Sequence, residues 1–311
     1  MDKLSAMATF ATVIEVGSFT RAADVLALPK ARVSQRVSEL ERHLGVRLLN
    51  RTTRTLGLTE EGQAYFAKCQ VILRDIDELE EALKGGRLEL RGRLRVEALV
   101  SVARWIIAPR LHEFQARYPA ISVRLAGSDR ISHLLEDGID CAVRGGHLKD
   151  SSQIARHVCD VRVGLYAAPA YLRAAPPMRH PEELMRHRSI SWFQGQRNPF
   201  AWQLEKTQGE VFDLAMDNGL QFDDPDVAIA SCMAGSGICP GVPFAVEGWV
   251  RAGALVPVLP DWSFKARPIH IIYPSSKHLS ARTRCFVDWL LELMKSSPSV
   301  RMTPRDLADR L

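Results

Sequence analysis

Three short helical segments crowd into the first 45 residues, and the last of them is apolar on one face and basic on the other. No other stretch limits the amino-terminal fold as tightly. Leu4, Met7, Ala11 and Ile14 recur at three and four with Phe10 and Val13 beside them, the stripe of an amphipathic helix that stops at Gly17. Ser18 caps a second helix over Phe19 to Leu26, whose Ala22-Ala23 pair lets a neighbour approach closely. Pro29 suits the first turn of a third helix, with Val33, Val37, Leu40 and Leu44 as its buried face and Gly45 as its stop. The pattern is helix, tight turn, helix.

The other face of the third helix carries Lys30, Arg32, Ser34, Gln35 and Arg36 near its amino end, the end that such motifs direct at base edges in the major groove. Arg47 to Leu58 reads as two short strands around a basic tip, a wing whose Arg51, Thr52, Thr53 and Arg54 would lie along the phosphates. Ser18 and Arg21, at the start of the second helix, complete the candidate DNA-binding set. The net charge of +5 over 311 residues is too mild to imply nucleic acid by itself. Its distribution says more. From Arg21 to Arg54 there are eight basic residues against Asp24, Glu39 and Glu41, while Glu60 to Glu81 holds seven acids against Lys68 and Arg74. An isolated charge run would only solvate a helix face; here helix spacing, wing and charge coincide.

Thr59 caps a long helix with Glu60 and Glu61 in its first turn. Tyr65, Cys69, Ile72, Ile76, Leu79 and Leu83 follow at four, three, four, three and four, a heptad seam that calls for a partner helix, although the same stripe also suits packing inside one chain. A dimer would hold two recognition helices ~34–36 Å apart, one DNA turn. Gly85, Gly86 and Gly92 then mark a hinge.

After Gly92 strands and helices alternate. Expected strands are Leu94 to Val100, Ile121 to Gly127 and Ile139 to Arg144, with helices over Val102 to Tyr118 and Ile131 to Asp137. This predicts a parallel, helix-covered sheet. A second set has strands near Val161 to Ala167, Ser189 to Phe193, Phe212 to Met216 and Leu255 to Leu259, and helices near Pro225 to Ala234 and Pro243 to Ala252. Strand Ile269 to Tyr273 and helix Ala281 to Lys295 return to the first set.

The amino-terminal block resembles the LysR-type family of transcription regulators, through Gly17-Ser18-Phe19-Thr20-Arg21-Ala22-Ala23, Val33-Ser34-Gln35-Arg36-Val37, Leu44-Gly45-Val46-Arg47-Leu48-Leu49, Arg51-Thr52-Thr53-Arg54 and Leu58-Thr59-Glu60-Glu61-Gly62. Pro29 and Arg32 depart from the common pattern, which bears on the DNA sequence preferred. The rest resembles that family's sensor domain, similar to type 2 periplasmic binding proteins, through Pro109-Arg110-Leu111, Tyr118-Pro119, Leu135-Glu136-Asp137-Gly138-Ile139-Asp140 and Ala234-Gly235-Ser236-Gly237-Ile238. The resemblance implies a multidomain chain. Residues 1–58 form a winged helix-turn-helix, 59–92 a linker helix that pairs subunits and a hinge, and 93–298 an α/β effector-binding domain. Its first lobe comprises 93–164 and 268–298, its second 165–267, and 299–311 make a tail. The implied partners are double-stranded DNA at a near-palindromic promoter site, further copies of the chain as homodimer or homotetramer, RNA polymerase, and a small-molecule effector, with no cofactor.

Ligands of open parallel sheets sit beyond the carboxyl ends of strands. That rule selects Val100, Ser101, Ser128, Asp129, Arg144, Phe222 and Asp223, with Phe200 and Trp202 as an aromatic wall and Ser101 at a helix start as a holder of a carboxylate. Singly, each of these residues also suits a purely structural role. Catalysis finds no support: Gly235-Ser236-Gly237 is followed by Pro240 where a dinucleotide loop has its third glycine, and neither a P-loop nor an HExxH motif occurs. His180, His187, Glu182 and Glu183 have no nucleophile or metal spacing around them. A cysteine-based redox regulator is the alternative reading, on Cys232 and Cys239, but Ser231 to Gly241 offers no base to activate a thiol. The six cysteines read as reduced and mostly buried. No apolar run nears the ~18 residues of a membrane span, and Met1-Asp2-Lys3-Leu4 lacks the layout of a secretory signal, which gives a cytoplasmic expectation.

Overall fold

The computed structural model describes residues 1–51, 56–83, 90–130, 134, 137–146, 153–192, 202–206, 209–216, 219–274 and 279–310. The chain forms two compact units, 1–89 with 132–139, and 90–131 with 140–311.

In the first unit, α1 (Lys3–Val16) ends at Gly17, whose φ of 65° is the left-handed conformation glycine adopts freely. The Ser18 hydroxyl accepts from the Arg21 amide to start α2 (Phe19–Leu26), and α3 (Lys30–Leu44) follows with Pro29 at its cap rather than inside its first turn. Strands β1 (Leu49–Arg51) and β2 (Leu56–Leu58) pair antiparallel with Leu49 opposite Leu58. Thr59 then donates to the Arg47 carbonyl at 2.7 Å and accepts from the Gly62 amide at 2.9 Å, fastening the wing to α4 (Glu60–Leu83). Gly62 is required here, since a Cβ would lie 1.9 Å from the Leu48 carbonyl oxygen.

The core of this unit joins Phe10, Val13, Ala22, Val33, Val37, Leu40, Leu48 and Leu49, and it also takes Cys69 from α4, with Tyr65, Phe66 and Leu73 packed against it. The Phe10 ring lies 5.9 Å from Tyr65 and 6.2 Å from Phe66. Tyr65 and Cys69 therefore serve the module's own core, a correction to the expected seam. The spacing of three and four that suits a partner helix suits an intramolecular neighbour equally, and α1 is that neighbour for the first turns.

In the second unit, β3 (Gly92–Ala98) leads into a compound helix: α5 (Val100–Val102), a π segment over Ala103–Ile107, a 3-10 turn at Ala108–Arg110 containing Pro109, and α6 (Leu111–Arg117). Strands β4 (Ile121–Gly127), β5 (Cys141–Gly145) and β6 (Gln153–Val161) follow. With β15 (Arg267–Pro274) they form a sheet in the order β4-β3-β5-β15-β6. β4, β3, β5 and β6 all point one way, and β15 runs antiparallel to its neighbours β5 and β6. The expected all-parallel sheet is thus mixed, because the chain reaches β15 from its second lobe. Helix α10 (Ala281–Ser296) covers this sheet through Phe286 and Trp289, whose rings lie 5.1 and 5.4 Å from Phe114. The expected helix over Ile131 to Asp137 falls largely outside the described residues.

Between β6 and β15 lies a second core. Strand β7 (Gly164–Ala167) precedes α7 (Pro169–Ala174), β8 (Ile190–Trp192), β9 (Trp202–Lys206), β10 (Val211–Leu214) and β11 (Leu220–Phe222). Helix α8 (Pro225–Met233), β12 (Ile238–Gly241), α9 (Pro243–Arg251), β13 (Val256–Val258) and β14 (Trp262–Phe264) complete it. The sheets β12-β7-β13 and β10-β9-β14 are antiparallel, and β8 pairs in parallel with β11. Residues beyond α10 are no loose tail. They form a 3-10 turn at Pro298–Arg301 and α11 (Pro304–Ala308), burying Val300 in the first core and Met302 and Leu307 against Tyr166 and Val246.

Candidate DNA-reading face and ligand cleft

On α3, burial of Val33, Val37 and Leu40 turns Lys30, Arg32 and Gln35 outward, all three exposed, with Ser34 and Arg36 half-buried. Neighbours hold part of the set in place. Arg32 donates to the Gln35 side-chain oxygen at 3.3 Å, Gln35 donates to Glu39 at 2.9 Å, and Arg36 donates to Thr9 of α1 at 3.4 Å. The Glu41 carboxylate accepts from the Leu48 and Leu49 amides at 2.9 and 3.2 Å, fixing the wing's first strand to the end of α3. Ser18 is a helix cap and Arg21 is exposed beside it. Thr52, Thr53, Arg54 and the Arg51 side chain lie outside the described residues. On α4, Ile72 is 44% exposed and Ile76 half-buried, whereas the side chains of Leu79 and Leu83 are outside the description.

The second unit holds a cleft, open at its mouth, between the two sets of strands. Its walls are mostly apolar, including Leu99, Val161, Val163, Ile229, Val242 and Ile269; the polar side chains lining it are Ser101, Asp129, Asp226 and Arg267. Ser101 stands at the start of the compound helix. Asp129 accepts from the Val100 amide at 3.2 Å, and its pKa is raised, first by burial and then by the charges of Asp224 and Asp226. Arg267 opens β15; burial holds its pKa below the ordinary arginine value. Asp226 receives Arg104 at 2.9 Å and the Trp105 indole Nε1 at 3.4 Å, both from the π segment. Asp224 caps α8 by accepting from the Asp226 and Val227 amides at 2.7 and 3.2 Å.

Of the expected ligand residues the structure brings Ser101 and Asp129 to the cleft. The others are elsewhere or undescribed. Val100 contributes its amide to Asp129, Ser128 accepts from the Arg130 amide, and Arg144 is paired with Glu97, the two side chains being 11% and 12% exposed. Trp202 is 1% exposed inside the second core, where it donates to Ser191 at 3.2 Å and meets Phe264 edge-on. It is no cleft wall, because β9 belongs to an antiparallel sheet away from the parallel strand ends. Phe222 packs against the core holding Ile190 and Ala228, and neither it nor Asp223 lines the cleft. Phe200 is outside the described residues. Arg267, Arg104, Trp105 and Asp226 were not anticipated. The Pro225-Asp226 start of a helix after a strand hinted at the last, but nothing local in the sequence marks Arg267.

Cys232 and Cys239 are both buried and unbridged. Burial raises the Cys232 thiol to about 12 and the Cys239 thiol well above its ordinary value, so neither is a ready thiolate. Among the described residues no group of acids, histidines and cysteines is placed to hold a metal, and no helix is long and apolar enough to cross a membrane.

Residues 4–63 match the family model described as bacterial regulatory helix-turn-helix protein, lysR family, and residues 87–295 match the LysR substrate binding domain. An HTH-type transcriptional repressor of Pseudomonas aeruginosa is 64% identical over 309 residues, covering 99% of this chain and 97% of its own. The HTH-type transcriptional regulator CrgA of Neisseria meningitidis is 35% identical over 288 residues, 92% of this chain and 95% of its own. Among solved structures, the full-length Vibrio cholerae virulence activator AphB, a member of the LTTR protein family, is similar with TM-score 0.61 and 30% identity, covering 93% of this chain and 99% of its own.

Proposed function

Because the chain belongs to the LysR family and is a helix-turn-helix transcription regulator with an effector-binding domain, we propose that α3 enters the major groove and that a small molecule in the cleft controls the outcome. Lys30, Arg32, Ser34, Gln35 and Arg36 read base edges, while Ser18, Arg21 and the wing from Arg51 to Arg54 position the module on phosphates. Two chains pair through the outer part of α4, Ile72, Ile76, Leu79 and Leu83, and present two α3 helices to a near-palindromic site. A tetramer is two such pairs. Cytoplasmic DNA is the target, RNA polymerase is the machinery acted on, and the 64% identity to a repressor favours repression as the direction.

The cleft carries the sensing half of the proposal. Its apolar walls suit a small, largely apolar effector, and Ser101, Asp129 and Arg267 supply polar groups that fix its orientation. An effector with different affinity for the open and closed lobes shifts their balance, and with it the spacing of the DNA-binding pairs. The observation that carries the reading is one chain holding both an exposed basic face on α3 and a mostly apolar cleft, open at its mouth, at parallel strand ends. The test is footprinting on DNA flanking the chain's own coding region, with and without the small-molecule fraction of the source cells. The fraction is expected to change the protected pattern, and Ser101→Phe, which crowds the cleft beside Asp129, is expected to keep the basal footprint and lose the change. A footprint that no fraction alters, or a response that survives Ser101→Phe, overturns it.

A further inference from the structure

One contact at the rim of the cleft spans its two sides. Asp226, near the start of α8 in the second lobe, takes two donors from consecutive residues of the first: Arg104 Nη1 at 2.9 Å and Trp105 Nε1 at 3.4 Å. Consecutive residues of an α-helix point about 100° apart and do not ordinarily share a partner. Here they stand in a π segment, Ala103–Ile107, and the Arg104 guanidinium lies over the Trp105 ring at 5.1 Å, so two side chains converge on one carboxylate. An exposed ion pair alone would hold little. This one differs because the Asp226 side chain is only 15% exposed against 57% for Arg104, and because the indole gives it a second, oriented donor. Asp226 also lines the cleft with Ser101 and Asp129.

We propose that Asp226 is a positioning residue of the sensor: through Arg104 and Trp105 it clasps the two lobes at the cleft mouth, so that access to the cleft follows the opening of this contact. The consequence for an effector rests on the reading that the cleft binds one; the clasp does not. Breaking it raises the fraction of time the mouth is open.

The experiment places a reporter inside the cleft of the full-length chain. With Ser101→Cys in a Cys285→Ser background, alkylation by uncharged iodoacetamide reports how often the cleft is open, because the other five native thiols are buried. Asp226→Asn and Arg104→Gln are each expected to speed labelling roughly fivefold or more, and the double variant is expected to be no faster than the faster single one. The sign for Arg104→Gln discriminates. Loss of a nearby cation raises a thiol's pKa and would by itself slow labelling, whereas opening the clasp speeds it. Hydrogen exchange supplies the second readout. Arg104→Gln is expected to accelerate exchange in α8, and Asp226→Asn in residues 100–107, with α1 to α3 unchanged. Labelling that slows in Arg104→Gln, additive effects in the double variant, or exchange changes confined to the mutated element would overturn the clasp. A clasp that passes while no small molecule alters the DNA footprint would leave it standing and remove the effector reading instead.

Discussion

Substituting alanine for Gly62 tests how the wing is held to α4. An added Cβ would stand 1.9 Å from the Leu48 carbonyl oxygen, 2.8 Å from its carbon and 3.1 Å from its Cα. All three are backbone atoms of a residue whose side chain is fully buried and whose amide is held by Glu41, so none can swing aside. Relief requires strand and helix to separate by an ångström or more, which strains the Thr59 bonds to Arg47 and Gly62 and opens the core at Leu48 and Leu49. Overpacking of this kind costs about 3 kcal/mol, roughly a hundredfold in the closed-to-open ratio of the unit. Gly57→Ala is the matched control, since its Cβ would meet only the Asn50 Cβ at an ordinary 3.9 Å. Hydrogen exchange of the slowest amides in α1 and α3 of the full chain reads the difference. Gly62→Ala is expected to accelerate them by about two orders of magnitude, and Gly57→Ala to change them little. Equal behaviour of the two variants would refute the close approach on which this reasoning depends.

Other substitutions separate structural from ligand-facing residues. Arg144→Met removes the cation that faces the half-buried Glu97 carboxylate and is expected to cost about 2 kcal/mol, read by denaturant unfolding, with Glu97→Gln/Arg144→Met recovering part of it. Trp202→Phe removes one hydrogen bond to Ser191 and is expected to destabilise by about 1 kcal/mol while leaving any response to the small-molecule fraction intact; loss of that response would put Trp202 back at the cleft. In folded protein at pH 7.5, Cys285 is expected to react fast with a thiol reagent and the other five slowly, since Cys285 alone is not buried. Rapid modification of Cys232 or Cys239 would revive the redox alternative.

The amino-terminal unit was legible because its signals are local: Ser18 and Gly17 bound α2, Gly45 ends α3, and each apolar stripe names its own buried face. The sequence did not reveal how far along α4 the stripe turns inward, because Cys69 buried in the unit's core and Ile72 facing outward share one periodicity. In the sensor, β3, β4, β5 and both α8 and α9 were foreseen to within a few residues, and β6, β9, β11, β12 and β14 were not. Edge and antiparallel strands such as Gln153–Val161 and Trp202–Lys206 owe their state to partners distant in the chain. The rule of strand carboxyl ends located Ser101 and Asp129 at the cleft. It failed for Arg144, whose charge is met by Glu97 on the neighbouring strand, and for Arg267, which arrives from the far end of the second lobe.

The most direct measurement is the affinity of the full-length chain for duplex DNA flanking its coding region, titrated over a series of salt concentrations. Binding is expected to weaken linearly with the logarithm of salt, by about 0.9 in slope per phosphate neutralised, and Arg32→Ala with Arg36→Ala to weaken it roughly tenfold or more. Binding that is indifferent to salt, or equally tight in that double variant, would contradict the assignment of α3 as the DNA-reading helix.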